Sequence, residues 1–261
     1  MHVLLAEDNP VNQEVSAGLL EALDCDVTVV ENGQEAVEAA RSGTFDLVLM
    51  DCQMPVMDGL EATSILRKTW SENKRLPIIA LTADKVEDAK AACFAAGMDD
   101  FLSKPFTLQQ LQALLQRWQP AAEMTPTAAH AATAETASTA MPETASLDLT
   151  PIEALRSLDP SGERNIVQRA ITKFISYSDE LLARLTSAVG ESDGEEISRI
   201  AHSLKSSSAN LGATDLARQC SELEKLFCDN RLPDDIHVRL KNLQAAQQAA
   251  KNALLQLAGT Q

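Results

Sequence analysis

The feature that most constrains this chain is a gap in its apolar residues. Residues 119–146, "QPAAEMTPTAAHAATAETASTAMPETAS", contain no Ile, Val, Phe or Leu and recycle Ala, Thr, Ser, Pro and Glu. Such a stretch cannot bury enough apolar area to offset the entropy of ordering it, so it reads as a linker. A chain of 261 residues interrupted there divides into two domains of ordinary size. The expected boundaries are 1–119, a flexible linker over 120–147, and 148–261. About 28 flexible residues span roughly 30 Å in root-mean-square terms, which gives the domains an effective concentration near a millimolar.

The part before the gap alternates. "HVLLA", "DVTVV", "DLVLM", "PIIAL" and "FLS" are short apolar runs suited to strands buried on both faces, and helical stretches begin near Pro10, Gly33, Asp58, Glu87 and Thr107. Five strand-then-helix units predict a doubly wound, flavodoxin-like α/β domain with a five-stranded parallel sheet. Behind the gap no strand pattern occurs. Val167, Ala170, Ile171, Phe174, Leu181 and Leu185 recur at helical spacing, as do Leu216, Cys220, Leu223 and Phe227, and then Ile236, Leu240, Leu243, Leu254 and Leu257. With residues 197–211 these predict an all-α four-helix bundle. Aromatics make up only 3% of the chain, so both cores must be built from Leu, Ile, Val and Ala.

In doubly wound sheets ligands gather beyond the carboxyl ends of the strands. Glu7 and Asp8 end the first strand, Asp51 ends the third, Thr82 ends the fourth, and Lys104 follows the fifth. A single acid at a strand end is often no more than a helix N-cap; five compatible residues in order are harder to explain that way. Three crowded carboxylates repel one another unless a cation intervenes, and oxygen ligands with phosphate favour Mg²⁺. With a lysine and a hydroxyl opposite, this is equipment for phosphoryl transfer to a carboxylate. The chain has no glycine-rich phosphate loop to suggest a nucleotide fold.

These segments, "LLAEDNPVN", "DLVLMDCQMPVMDG", "IIALTAD" and "FLSKPF", resemble the receiver domain of two-component response regulators. The resemblance implies that Asp51 is the phosphoacceptor and that Glu7, Asp8, Asp51 and the backbone carbonyl of Gln53 bind Mg²⁺. Lys104 would pair with the phosphoryl group, Thr82 and Phe101 would act as the switch, and Lys104–Pro105 would be a cis peptide.

His202 lies in "IAHSLKSSSANLGA". On a helical wheel Ile197, Ile200, Ala201, Leu204, Ser208 and Leu211 form one stripe, and His202 falls about 140° away from it. It is therefore expected to point to water between Arg199 and Lys205, among the small residues Ser198, Ser206 and Ala209. No acid or second histidine nearby in sequence suggests a protease-like or metal site. The segment resembles the signature of histidine-containing phosphotransfer domains, which implies that His202 is a phosphoacceptor and Lys205 its supporting cation. That family often has glycine after the lysine, where this chain has Ser206, a departure that bears on partner preference.

Together the resemblances imply a phosphorelay protein. Asp51 would take a phosphoryl group from a sensor histidine kinase, and His202 would pass it to a downstream receiver. Two alternatives remain: the bundle is a docking module with His202 inert, or phosphate runs backwards and Asp51 is a sink. The chain has no ATP-binding glycine boxes, so autonomous kinase activity is not expected. A net charge of -16 argues against nucleic acid as a partner. Scattered cysteines without a CxxC pair, no signal peptide and no long apolar run suggest a cytoplasmic protein without membrane insertion.

Overall fold

The computed structural model describes residues 1–69, 76–82, 87–118, 147–159, 162, 164–226 and 233–258, with the backbone alone for 87–89. The expected linker lies outside the described residues, apart from Leu147, as do Phe227, Cys228 and His130.

The first region runs β1 (His2–Ala6), α1 (Pro10–Ala22), β2 (Asp26–Val30), α2 (Gly33–Ser42), β3 (Leu47–Asp51) and α3 (Gly59–Thr69). It continues with β4 (Ile78–Thr82), α4 (Glu87–Ala96), β5 (Asp100–Ser103) and α5 (Leu108–Trp118). All four strand pairings are parallel, in the order β2-β1-β3-β4-β5. The period of two along each strand divides the core. Val3, Leu5, Leu47, Leu49 and Leu81 face α1 and α5, while Leu4, Ala6, Val48, Met50 and Ala80 face α2, α3 and α4. Burial on both faces holds for β1, β3 and β4 but not for the two edge strands: β2 leaves Val29 exposed, and in β5 Leu102 is buried while Asp100, Phe101 and Ser103 are only partly covered. An edge strand lacks a neighbour on one side, so its apolar run is only half covered.

Among its described residues the second region holds only helices: α6 (Thr150–Leu158), α7 (Ile166–Glu191), α8 (Gly194–Asn210), α9 (Thr214–Leu226) and α10 (Ile236–Ala258). The four long helices match the expected bundle, around a core that includes Phe174, Leu185, Leu204, Cys220 and Leu254. Inside it Gln247 Nε2 donates to Ser178 Oγ (3.1 Å), joining α10 to α7. The short α6 adds Ile152 and Leu155, which pack into the same core.

The two regions dock. The apolar core on the α1 side of the sheet runs without a break from Val11, Val15 and Leu19 into Ile166, Val167 and Ala170. Glu14 of α1 pairs with Arg169 (2.8 Å) and Lys173 (2.9 Å) of α7. Among the described residues no helix is long and apolar enough to cross a membrane.

Candidate functional site

Topology assembles the acidic site. β1 and β3 are neighbours at the centre of the sheet, so Glu7 and Asp8 emerge beside Asp51. One ligand atom from each of the three carboxylates lies within 4.8 Å of the others. The start of α3 crowds against the end of β3: a Cβ at Gly59 would lie 2.0 Å from the Asp51 carbonyl oxygen, so only glycine permits the approach. Lys104 reaches in from the end of β5, its Nζ 2.5 Å from Glu7 Oε2 and 2.6 Å from Asp51 Oδ2. Asn12 Nδ2 donates to the other Glu7 oxygen at 2.9 Å.

The electrostatics follow from burial. Glu7 is fully enclosed, and burial together with the Asp51 charge pushes its pKa up to about 8 against the pull of Lys104. Burial and Asp51 likewise raise Asp8 to about 6. Burial would lower Lys104, but Asp51 and Glu7 outweigh it and hold the ammonium well above its usual range. Three carboxylates facing one ammonium leave an uncompensated negative, all-oxygen site, which fits a hard divalent cation. Thr82, buried at the end of β4, and Gln53 line the same cavity, and the Gln53 N–H donates to Asp51 Oδ1 (3.1 Å). Phe101 sits outside the cavity lining, half-buried on β5, edge-on to Phe94 with ring centroids 6.3 Å apart and beneath Lys90 Nζ at 4.6 Å. Lys104–Pro105 is cis, as the resemblance implies.

His202 corrects the helical-wheel reading. It does lie off the apolar stripe of α8, but it does not point to water: its side chain is 16% exposed. Two elements cover it. Glu224, from α9, accepts from Nδ1 at 2.8 Å. The receiver-like region closes over the other side, so His202 and Asp51 line one cavity of about 480 Å³ together with Asp8, Thr82 and Glu224. The flanking cations are also engaged. Lys205 Nζ lies 2.5 Å from the second Glu224 oxygen, and Arg199 pairs with Glu196 on its own helix. Ser206 is buried and accepts from Asn12 Nδ2 at 2.6 Å, so it belongs to the contact between domains as well as to the surroundings of the ring.

Glu224, Asn12 and Asn210 were not legible as site residues. Glu224 stands 22 positions beyond His202 on another helix, and only bundle packing brings the two together. Burial would raise its carboxyl, but hydrogen bonds from His202 and Lys205 reverse that and hold it down near about 2. Asn12 was visible inside "LLAEDNPVN", yet nothing in that segment tells which partner its amide faces.

Family comparison agrees with both halves. Residues 3–116 match the model for the response regulator receiver domain, and residues 169–257 match that for the Hpt domain. Similar curated proteins include Histidine kinase 5 of Arabidopsis thaliana, 40% identical over 44% of this chain and 15% of that protein. Sensor protein GacS of Pseudomonas syringae pv. syringae is 43% identical over 44% of this chain and 13% of its own length. The chain thus spans about a seventh of the length of these relatives. Among solved structures, the receiver domain of sensor histidine kinase PA1611 from Pseudomonas aeruginosa PAO1, with magnesium in its active-site cleft, is 46% identical. The match covers 45% of this chain and 95% of that one, with a TM-score of 0.42. A co-crystal structure of the Saccharomyces cerevisiae phosphotransfer protein Ypd1 with the receiver domain of Ssk1 matches at 31% identity. That match covers 45% of this chain and 88% of that one, with a TM-score of 0.42. The two family matches thus place a response regulator receiver domain at residues 3–116, followed by an Hpt domain at 169–257.

Proposed function

We propose that this chain relays a phosphoryl group from Asp51 to His202 within one molecule, taking it from a sensor histidine kinase and handing it to a downstream receiver. The observation that carries this reading is the single cavity walled by Asp51 from one domain and His202 from the other. Because Nδ1 is committed to Glu224, its proton stays there, and the Nε2 lone pair is the one left to attack phosphorus. The Nε2–P bond forms as the acyl O–P bond breaks, and the Asp51 carboxylate leaves towards Lys104, which is already in place to take its charge. Glu224 offsets the positive charge that develops on the ring.

Glu7, Asp8, Asp51 and the Gln53 carbonyl would hold Mg²⁺, which when bound supplies charge neutralisation to the phosphoryl oxygens. Thr82 lines the cavity where it can meet a phosphoryl oxygen, and its movement would be passed to Phe101 as the switch. Lys205 would support the phosphorylated ring. The test loads the full chain from a histidine kinase and follows acid-labile, base-stable phosphate through time. Wild type should label His202 after Asp51, and His202→Gln should stop at Asp51. Full labelling of His202 in Asp51→Ala would overturn the order. Mixing Asp51→Ala with His202→Gln chains tests the intramolecular route, since transfer between them should be slow and depend on concentration.

A further inference from the structure

On the relay reading, we propose that Asn12 is the residue by which the receiver recognises its own phosphotransfer helix, and that Ser206 and Asn210 are the groups it reads. Asn12 sits in the first turn of α1 and is almost fully buried. Its side chain makes three hydrogen bonds. Nδ2 donates to Glu7 Oε1 (2.9 Å) inside the receiver and to Ser206 Oγ (2.6 Å) across the interface, and Oδ1 accepts from Asn210 Nδ2 (2.8 Å). Both amide hydrogens are used, and two of the three bonds depend on the bundle.

Spacing gives these bonds their meaning. His202, Ser206 and Asn210 follow one another at intervals of four, so they form a single stripe along α8. Holding 206 and 210 against Asn12 fixes the register of the helix and so fixes where His202 stands over Asp51. A slip by one turn, about 5.4 Å, would break both bonds. Asn9 strengthens the register: its Nδ2 donates to the Ser203 carbonyl at 2.9 Å, while its Oδ1 accepts from the Val11 and Asn12 N–H groups at the start of α1. The Glu14 pairs with Arg169 and Lys173 attract but do not read register, since both cations are long and about half exposed. Close packing of α1 on α7 comes from Gly18, where a Cβ would lie 2.9 Å from Ile166 Cγ2.

The reading gives the Ser206 departure a physical role. A bundle with glycine there would leave one Asn12 N–H facing a buried interface with no acceptor. A receiver with an apolar residue at 12 would strand the Ser206 hydroxyl. Mismatch is penalised from both sides, which is what a specificity contact requires.

The test measures Asp51-to-His202 transfer in the full chain, loading Asp51 with a small acyl phosphate and Mg²⁺ and separating the two phosphoproteins by their acid and base lability. Ser206→Ala should slow transfer about tenfold, the factor expected for one lost buried hydrogen bond, and Asn12→Ala, which also gives up the bonds to Asn210 and Glu7, should slow it at least as much. The double variant should be no slower than Asn12→Ala, because that single change already removes the contact with Ser206. Asp51 loading in Ser206→Ala should stay within about twofold of wild type, which shows that the receiver is folded and active. Wild-type transfer in Ser206→Ala, or multiplying effects in the double variant, would overturn the proposal. Absence of phosphohistidine in the wild type would instead sink the relay reading on which it rests.

Discussion

Asp51 and His202 face one cavity but are held by opposite means. Asp51 is the last residue of a central strand, and its neighbours Glu7, Asp8, Thr82 and Lys104 all arrive from strand ends whose spacing the sheet sets. His202 lies in the middle of a helix, and its ring is fixed by Glu224 from the next helix and by the docked receiver. The first site is dictated by topology and saturated with charge. The second depends on how two helices pack, and one carboxylate serves both its histidine and its lysine. Damage at the first site should therefore cost folding as well as chemistry, and damage at the second should cost chemistry far more than folding.

The largest effect should come from Lys104→Ala. It leaves Glu7 and Asp51 buried without their cation, and breaking such a buried pair costs about 3–5 kcal/mol. Urea denaturation of the metal-free protein should show that loss, and Asp51 labelling should fall more than about a hundredfold with the charge partner gone. A variant of wild-type stability would break the contrast between the two sites. Glu224→Ala comes next. Removing a charge-assisted hydrogen bond of about 1.5–3 kcal/mol should slow transfer to His202 roughly 10- to 100-fold, with Asp51 labelling unchanged. Glu224→Gln still accepts from Nδ1 and should recover part of the rate. If Ala and Gln are equally slow, the charge matters and the tautomer does not.

This difference in construction also decides what the sequence could reveal. Five apolar runs and their helices imply the parallel sheet, though not its strand order, and they put Glu7, Asp8, Asp51, Thr82 and Lys104 at strand ends on one edge, where position alone picks them out. The four long helices were equally plain from periodicity, but α6 was not, being too short to show a face. The partial cover of β2 and β5 is not legible, because an apolar run looks the same at the edge of a sheet as at its centre. His202 was identified on its own helix, yet its exposure was not. The wheel knows one helix, whereas Glu224 and the receiver come from elsewhere in the chain.

Magnesium should separate the sites at a smaller scale. A ligand that binds only the folded state at about ten times its Kd stabilises by roughly 1.4 kcal/mol, a shift of a few degrees in Tm. Adding Mg²⁺ should raise Tm in wild type and in Glu224→Ala alike, because Glu224 lies outside the carboxylate cluster. Asp8→Asn should abolish the shift. A Mg²⁺ effect that required Glu224 would mean that the two sites bind the ion jointly.

The smallest effect lies in acid. The Glu224 carboxyl is held down to about 2 in the folded chain against an ordinary value of 4.5, because the hydrogen bonds from His202 and Lys205 outweigh its burial. A depressed carboxylate contributes stability that is complete above the unfolded value and drains away as pH falls through the folded one. The denaturation midpoint of wild type should therefore exceed that of Glu224→Gln near pH 6, and the gap should narrow between about pH 5 and pH 2. The group is only partly covered, so solvent screening keeps the difference small, and added salt should reduce it further. A gap that stayed constant down to pH 2 would show that Glu224 acts through packing alone, and the helix-built site would then owe its geometry to shape rather than charge.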